Sequence, residues 1–467
     1  MYASRLFSRL AIGLSALGSM VVVLAGCGGA EPSRSAQAPA RPTGGPSPAA
    51  EDTPITKVVP IAEPAQGFPP PQADGVVLGI DALERQDFAL LQGKRIGLLT
   101  HPAGVNRFGM STIDVLRRDS RLKLVALFGP EHGIYGNEVA EKYVPDRIDS
   151  RTGLHVYSLY AATRKPTPDM LKGIDVLVID LQDIGTRSYT YVSCMRYAIE
   201  ACFEQNVEVV VLDRPNPLGG LKVAGPMLDK EWLSYVGAFR IPYVHGLTIG
   251  ELARLSVSQP GLLQIGDEAR RKGRLTVVPM RGWRRDMRWT ETGLKWVPTS
   301  PNVPNFEAVV GYAMTGLGAQ LGGFRHGIGT PHPFRLLTHP AFKAGELAGE
   351  LRKRNLRGLR FLPRTVTDAQ GRSIEGLYVE VGDWQAWRPT ELSFHMMRIA
   401  CEVAPKNPFV GVPPGQADLY NKHVGSTAWW NALTKNGARV DLAGFLSDWD
   451  RAARSFQEES RPFWLYQ

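Results

Sequence analysis

The fold of this chain is decided by the segment Asp175-Val176-Leu177-Val178-Ile179-Asp180-Leu181-Gln182-Asp183-Ile184-Gly185. Its first half is continuously apolar, which is typical of a β-strand covered on both faces. Similar runs occur at 95–100, 122–128 and 207–213, and helical patterns fit between them at 112–118, 168–172 and 191–205. This alternation predicts an α/β fold with a parallel, Rossmann-like sheet. No GxGxxG motif follows the first strand, so we expect no dinucleotide and no other cofactor.

Polar side chains follow each of these four strands, and Gly and Pro hold the backbone close around them. They are His101 and Asn106 after the first strand, Glu131 and His132 after the second, Asp180, Gln182, Asp183, Arg187, Tyr189 and Tyr191 after the third, and Asp213, Arg214 and Asn216 after the fourth. In open α/β sheets, ligands bind at the carboxyl ends of the strands. The sequence therefore predicts an active site at this edge.

A second part of the chain begins near residue 260. We expect a Rossmann-like domain at 76–260 and a smaller α/β domain at 261–467 that completes the cleft. The second part carries a strand at 275–280, a proline-rich loop with Trp296 and Asn302, and a glycine-dense segment with Arg325 and His326. Aromatic residues such as Trp296 suit the apolar faces of sugar rings, although each one alone is more typical of core or loop packing.

The first 26 residues have the pattern of a lipoprotein signal peptide. Arg5 and Arg9 precede an apolar run at 10–25 that ends in Leu24-Ala25-Gly26-Cys27. The run is shorter than the ~20 residues of a spanning helix, so we expect cleavage and attachment of lipid, including palmitate, at Cys27. An ordinary signal peptide with an incidental cysteine is the alternative.

Residues 27–75 are rich in Pro, Ala, Ser and Gly, which predicts a disordered tether. The sequence thus predicts an envelope protein that is anchored to a membrane and faces the periplasm. Gly28 is not the residue that retains lipoproteins in the inner membrane, which favours the outer membrane.

The formal net charge of +9 fits an anionic polymer as partner. The charges of the signal and of the tether cancel, so the folded part keeps this value. Nucleic acid would fit the charge equally well, but export argues against it, and we expect no nucleic-acid partner. Cys194 and Cys202 are predicted on one helix about 12 Å apart, too far for a disulfide. No Cys/His spacing indicates zinc, and we expect no metal.

Several motifs resemble those of one bacterial family from about Gly79 to the C-terminus. They are Gly93-Lys94-Arg95-Ile96-Gly97-Leu98-Leu99-Thr100, Phe128-Gly129-Pro130-Glu131-His132-Gly133-Ile134, Thr152-Gly153-Leu154-His155-Val156-Tyr157-Ser158-Leu159-Tyr160, Arg164-Lys165-Pro166-Thr167-Pro168, Asp180-Leu181-Gln182-Asp183-Ile184-Gly185, Leu212-Asp213-Arg214-Pro215-Asn216-Pro217-Leu218-Gly219-Gly220 and His245-Gly246-Leu247-Thr248-Ile249-Gly250-Glu251-Leu252-Ala253, followed by the Trp296 loop. The family is the exo-β-N-acetylmuramidases. The resemblance implies a cleft between two domains. It also implies release of N-acetylmuramic acid from the non-reducing end of peptidoglycan-derived glycans during cell-wall recycling.

Glycoside cleavage usually needs a carboxylic acid that protonates the leaving oxygen and a second group that acts as nucleophile or base. Glu131, beside His132, is our first choice for the acid, with a capping carboxylate as the alternative. Asp180, Asp183 and Glu200 are candidates for the partner, although Glu200 fits a solvated helix position equally well. The acetamide oxygen of the substrate is another candidate.

The remaining polar groups of the edge are predicted to bind the substrate. Arg187, Arg214 or Arg325 would bind the lactyl carboxylate of muramic acid through a two-pronged hydrogen bond. The other predicted substrate-binding residues are His101, Asn106, Gln182, Tyr189, Tyr191, Asp213, Asn216, His245, Trp296, Asn302 and His326.

The chain departs from the family pattern at three places. Ala224 stands where relatives usually carry Glu, Gly318-Ala319-Gln320-Leu321 stands where they carry a Glu-Gly-Thr-Asn run, and Ile328 stands where they carry Arg. A sugar-binding lipoprotein that lost the chemistry is therefore the main rival hypothesis. A metal-dependent hydrolase using His101, His132 and Asp180 is another. A serine esterase lacks a GxSxG motif in the folded region.

Overall fold

A computed structural model of the chain describes residues 55–58, 75–136, 146–160 and 162–467. The predicted signal peptide, Cys27 and most of the predicted tether lie outside these residues. Within the described ranges, no helix is both long enough and apolar enough to cross a membrane.

The described strands confirm those predicted for the first half of the chain, with ends that differ by one residue at most. In chain order the strands are β1 (Ile55–Val58), β2 (Arg95–Thr100), β3 (Lys123–Gly129), β4 (Arg147–Ile148), β5 (His155–Ser158), β6 (Val176–Asp180), β7 (Glu208–Leu212), β8 (Ala224–Met227), β9 (Pro242–Val244), β10 (Arg274–Val278), β11 (Leu336–Leu337), β12 (Leu359–Thr367) and β13 (Ser373–Val381).

The predicted helices at 112–118, 168–172 and 191–205 are also confirmed within one residue at each end. The helices are α1 (Gly79–Arg85), α2 (Thr112–Arg117), α3 (Pro168–Leu171), α4 (Thr190–Glu204), α5 (Ile249–Ser258), α6 (Asp267–Lys272), α7 (Phe306–Thr315), α8 (Ala344–Arg352), α9 (Glu391–Val403), α10 (Pro414–Val424), α11 (Thr427–Asn436) and α12 (Leu442–Ser460). Cys194 and Cys202 both lie in α4, where they are buried and form no disulfide.

The large sheet has the strand order β1-β10-β7-β6-β2-β3-β5-β4, and only the β4–β5 pair is antiparallel. Successive side chains of a strand point to opposite faces. In β6, Leu177 and Ile179 accordingly pack in one hydrophobic cluster, while Val176 and Val178 pack in another on the other face. Both faces of the sheet are covered, as the continuously apolar runs predicted, and the strand ends form one polar edge.

The domain boundary predicted near residue 260 lies too early. β10 follows that residue, yet it pairs in parallel with β7 and belongs to the first sheet. Residues up to Val278 are thus needed to cover the edge of β7, which a boundary at 260 would leave unpaired. The C-terminal end also returns to this sheet, because the Tyr466 ring packs edge-to-face on Trp283 at 5.1 Å.

The predicted tether at 27–75 also contains a short structured segment. Residues 55–58 form the edge strand β1, in which Ile55 pairs with Arg274 and Val58 with Val277. Three β-branched residues in this segment favour a strand, and β10 offers an unpaired edge for it. The expectation of a tether without secondary structure is therefore wrong for these four residues.

The C-terminal part combines helices α7–α12 with an antiparallel sheet of order β11-β13-β12. A cluster of aromatic rings holds the helices together. Phe394 of α9 packs 5.0 Å from Trp429 of α11 and 4.4 Å from Trp449 of α12. The predicted smaller α/β unit is confirmed.

Candidate active site

Glu131 lies two residues beyond the end of β3 and is half-buried. Its Oε2 atom accepts a hydrogen bond of 3.0 Å from Oγ1 of Thr190, the first residue of α4. His132 has φ of 71°, which turns the chain sharply after Glu131. The turn and the Thr190 contact fix this carboxyl group at the edge of the sheet.

Three tyrosine rings pack against one another beside Glu131. Tyr189 lies 4.8 Å from Tyr191 and 6.1 Å from Tyr312 of α7, measured between ring centroids. Burial raises the pKa of Tyr312 to about 12, and the charges of Glu131 and Asp183 both act on it. Both carboxylates are therefore near enough to Tyr312 for their charges to act on it. α7 brings the second part of the chain into the cleft.

Asp183 is buried, but only one of its carboxylate oxygens is occupied. Oδ2 accepts a hydrogen bond of 2.8 Å from the backbone N–H of Gly185 and lies 3.3 Å from Nε2 of His245. Oδ1 has no hydrogen-bond partner among the described residues. A buried carboxylate oxygen without a partner is costly, so this atom is a strong candidate for a substrate contact.

The loop that carries Asp183 depends on a glycine. Gly185 has φ of +81°, and a Cβ atom added to it would lie 2.4 Å from Oδ1 of Asn216. Asn216 itself donates to the Leu247 carbonyl and accepts from the Leu218 N–H group, both at 3.0 Å. Asn216 thus supports the loop, because both its Nδ2 and its Oδ1 atoms form hydrogen bonds within the protein. The prediction that it binds the substrate directly is not supported by these contacts.

His101 and Gln182 form the floor between β2 and β6. Nε2 of His101 accepts the backbone N–H of Gln182 at 2.9 Å, and the ring packs edge-to-face on Tyr191 at 4.7 Å. Burial lowers the pKa of His101 well below its usual range, with the charge of Arg214 acting in the same direction. The neutral ring therefore positions the Asp183 loop, and its Nε2 atom is not available to a metal ion.

Asp180 and Arg214 form a buried, bidentate ion pair. Arg214 donates to Oδ1 of Asp180 at 2.5 Å and to Oδ2 at 2.8 Å, while Thr112 also donates to this carboxylate. Arg214 further donates to the carbonyl of Val105 at 2.7 Å. These contacts contradict the hypotheses that Asp180 is the catalytic partner and that Arg214 binds the lactyl carboxylate. Both groups instead join the loops after β2, β6 and β7.

Arg187 is completely buried and has no carboxylate to bind. Its guanidinium donates to four backbone carbonyls, at 2.8 Å to Pro226 and Ile241 and at 2.9 Å to His423 and Val424. Burial lowers its pKa to about 10. Arg187 therefore connects the strand ends to the C-terminus of α10, and the prediction that it binds substrate is wrong.

Glu200 lies in α4 but outside the cleft. It is ten residues beyond Thr190, which corresponds to about 15 Å along the helix. Its Oε1 atom accepts from Arg196 and from the backbone N–H of Gln264, both at 2.7 Å. The proposal of Glu200 as a catalytic partner is therefore wrong, and its role is to anchor the segment before α6.

Asp213 is the centre of a second buried network. It accepts hydrogen bonds from Tyr466 at 2.5 Å, from Thr248 at 2.8 Å and from the backbone N–H of Gly250 at 2.8 Å. Burial raises the pKa of Asp213 to about 7. This carboxylate connects β7 to the start of α5 and to the C-terminal segment, which contradicts the prediction of direct substrate binding.

The Oδ1 atom of Asn106 also forms hydrogen bonds within the protein, because it accepts the N–H groups of Phe108 and Met110.

The predicted residues of the second part lie in two loops. Trp296 packs edge-to-face on Trp289 at 4.9 Å, and Asn302 is half-buried in the same loop. His326 packs 4.8 Å from Phe334, which in turn lies 5.0 Å from Tyr312 of the tyrosine cluster. Burial lowers the pKa of His326 to about 4. Arg325 is exposed, and its side chain has no partner among the described residues.

Two residues of the site, Thr190 and Tyr312, were not predicted from the sequence. Thr190 contacts Glu131 and Tyr312 lies near both carboxylates, but no motif distinguishes a threonine at a helix start or a tyrosine within a helix.

Ala224 and Ile328 are positions at which the chain departs from the family pattern. Ala224 is buried in β8, where it pairs with Val244, and Ile328 is partly exposed two residues after His326.

Two family models match this chain. The model of the N-terminal region of exo-β-N-acetylmuramidase NamZ matches residues 96–307, and the model of its C-terminal region matches residues 310–466. A Bacillus subtilis (strain 168) protein, peptidoglycan β-N-acetylmuramidase NamZ, is 37% identical over 395 residues, which cover 84% of this chain and 91% of that protein.

Two crystal structures of DUF1343 family proteins from Bacteroides fragilis NCTC 9343 are similar to this chain. One has 37% identity and a TM-score of 0.75, the other 28% identity and a TM-score of 0.64, and each match covers 84% of this chain and 99% of the solved chain. The first family model ends near the start of α7, after β10, in agreement with the extent of the large sheet. The chain belongs to the exo-β-N-acetylmuramidase NamZ family.

Proposed function

We propose that this chain is an exo-acting glycoside hydrolase that releases N-acetylmuramic acid from the non-reducing end of peptidoglycan-derived glycans. The observation that carries the proposal is that Glu131, held by Thr190, and the buried Asp183, with one oxygen unpaired among the described residues, lie at the polar edge of one sheet, in a chain 37% identical to a peptidoglycan β-N-acetylmuramidase. Asp180 and Glu200 are neutralised by Arg214 and Arg196, which leaves Glu131 and Asp183 as the pair for the reaction.

In this mechanism Glu131 donates a proton to the glycosidic oxygen as the bond to the sugar C1 breaks. Thr190 holds Oε2 of Glu131, and Oε1 carries the proton that passes to the leaving group. Asp183 stabilises the opposite charge that develops on the sugar. Gly185 and His245 fix its Oδ2 atom, and Oδ1 accepts a hydrogen bond from the substrate acetamide or from the attacking water.

The test is to incubate the purified full chain with a disaccharide that has N-acetylmuramic acid at its non-reducing end. We expect free N-acetylmuramic acid, measured by liquid chromatography and mass spectrometry. The isomeric disaccharide with N-acetylmuramic acid at the reducing end serves as the control and should stay intact. Tight binding of the first disaccharide without any turnover at high protein concentration would support a sugar-binding lipoprotein instead.

We also propose that Cys27 is lipidated and anchors the protein in the cell envelope, facing the periplasm. The support is the sequence Leu24-Ala25-Gly26-Cys27 after a short apolar run, and Gly28 favours the outer membrane. Replacing Cys27 with Ser is expected to remove labelling by radioactive palmitate and to shift the protein out of the membrane fraction. Cys401→Ser is the matched control and should keep both properties. Unchanged labelling of the Cys27→Ser variant would contradict the proposal.

A further inference from the structure

A substrate that carries a lactyl carboxylate requires a cation near the cleft. The two arginines nearest the strand ends already bind groups of the protein: Arg187 donates to four carbonyls, and Arg214 donates to Asp180 and to the Val105 carbonyl. Another arginine, Arg164, follows β5 and is exposed. It has no carboxylate partner among the described residues, whereas its neighbour Lys165 pairs with Glu204 at 2.7 Å. An exposed guanidinium that lacks a carboxylate partner in the part of the chain that the structure describes is available to a ligand.

Two tyrosine rings hold the Arg164 guanidinium in place. Its Cζ atom lies 5.0 Å from the ring centroid of Tyr160 and 4.5 Å from that of Tyr235. The two rings are themselves 5.9 Å apart. Cation–π contact with two rings restricts the rotamers of a long side chain, so less entropy is lost when it binds a ligand. Both rings contact the guanidinium from neighbouring directions, and Arg164 is exposed, so its N–H donors can reach a ligand.

The sheet places this arginine beside Glu131. β3 and β5 are parallel neighbours, Gly129 pairs with Ser158, and the Leu159 N–H donates to the Gly129 carbonyl at 2.8 Å. Glu131 and Tyr160 are each two residues beyond this pair, so both lie in loops that leave neighbouring strands at the same edge of the sheet. Burial raises the pKa of Tyr235, the charge of Glu131 adds to this effect, and the charge of Arg164 opposes it. Both charges therefore act on the same phenol.

We propose that Arg164, stacked on Tyr160 and Tyr235 beside Glu131, binds the lactyl carboxylate of the terminal muramic acid and makes the site selective for muramic acid over N-acetylglucosamine. A planar guanidinium presents parallel N–H groups that match the two oxygens of a carboxylate. The proposal rests on the function proposed above, because it names the group that recognises the sugar of that reaction. Arg325, an exposed arginine in the second part of the chain, is the rival residue.

The test uses two readouts on the full chain: hydrolysis of aryl N-acetylmuraminide and of its lactyl methyl ester, and equilibrium binding of free N-acetylmuramic acid and N-acetylglucosamine. For Arg164→Gln we expect kcat/KM on the acid to fall about 10- to 100-fold, with little change on the ester. The preference for binding N-acetylmuramic acid should fall by a similar factor. Arg164→Lys should recover part of it, and Arg454→Gln, an exposed arginine of α12, should behave as wild type.

The outcomes separate this proposal from the proposed function. An unchanged acid-to-ester ratio in Arg164→Gln, or loss of the ratio in Arg325→Gln alone, overturns the role of Arg164 while the hydrolase remains. Wild-type protein that hydrolyses neither substrate overturns the hydrolase. In that case an Arg164-dependent preference for N-acetylmuramic acid still supports the binding role, and the absence of any preference overturns it.

Discussion

The Glu131→Gln variant is expected to release N-acetylmuramic acid about 10²- to 10⁴-fold more slowly than the wild type, with the fold unchanged. A positioned general acid contributes a factor of this size, and glutamine keeps the shape and the contact with Thr190 but has no acidic proton. The measurement is kcat on the disaccharide, with circular dichroism as a check on folding. Glu268→Gln, the same change at an exposed carboxylate of α6, is the control and should retain full activity.

The leaving group offers a sharper test of the assignment. An aryl glycoside with a good leaving group needs little protonation, so Glu131→Gln should lose about 10-fold or less on that substrate. Asp183→Asn should be impaired on both substrates, because Asp183 acts on the sugar ring rather than on the leaving oxygen. Equal losses of Glu131→Gln on the disaccharide and on the aryl glycoside would contradict its role as the acid.

The strands of the large sheet were predictable because each is apolar on both faces. β2 has the predicted bounds, β3 and β7 differ by one residue at each end, and β6 differs by one residue at its start. The polar edge followed from the same pattern, since parallel strands bring their carboxyl ends together. Glu131 and Asp183 were predicted at this edge for the same reason. β10 was recognised as a strand, but its membership in the first sheet depends on the edge of β7, which no local pattern shows.

Which polar groups remain available was not predictable. Asp180 and Arg214 are both typical active-site residues by position, and only their contact across β6 and β7 shows that they neutralise each other. The same holds for Asp213, whose partner Tyr466 lies at the other end of the chain. Local sequence reports that a group is polar and near the edge. It does not report whether a distant residue already satisfies it, and that question decides the function of each group.

Arg187 gives the clearest case of such long-range satisfaction, because two of its acceptors belong to His423 and Val424 at the end of α10. Replacing it with Met would keep the volume of the side chain but leave four carbonyls without their donor. Each buried acceptor that loses its hydrogen bond costs about 1–3 kcal/mol before the structure relaxes, so we expect the free energy of unfolding to fall by about 3–5 kcal/mol. Denaturant unfolding followed by circular dichroism measures this change.

The Arg187→Met variant also tests whether Arg187 holds the two parts of the cleft together. It joins β8 and the start of β9 to α10, and therefore fixes the C-terminal part against the strand ends that carry Asp183. Arg187→Lys should be intermediate in stability, because an ammonium group has three donors and lacks the planar geometry that reaches four carbonyls. Arg454→Met, on the exposed surface of α12, should change the free energy of unfolding by about 0.5 kcal/mol or less.

If Arg187→Met unfolds at the wild-type denaturant concentration but loses selectivity for muramic acid, Arg187 contacts the substrate after all. If it is destabilised and retains that selectivity in the folded fraction, the buried guanidinium serves to hold the two parts of the cleft together.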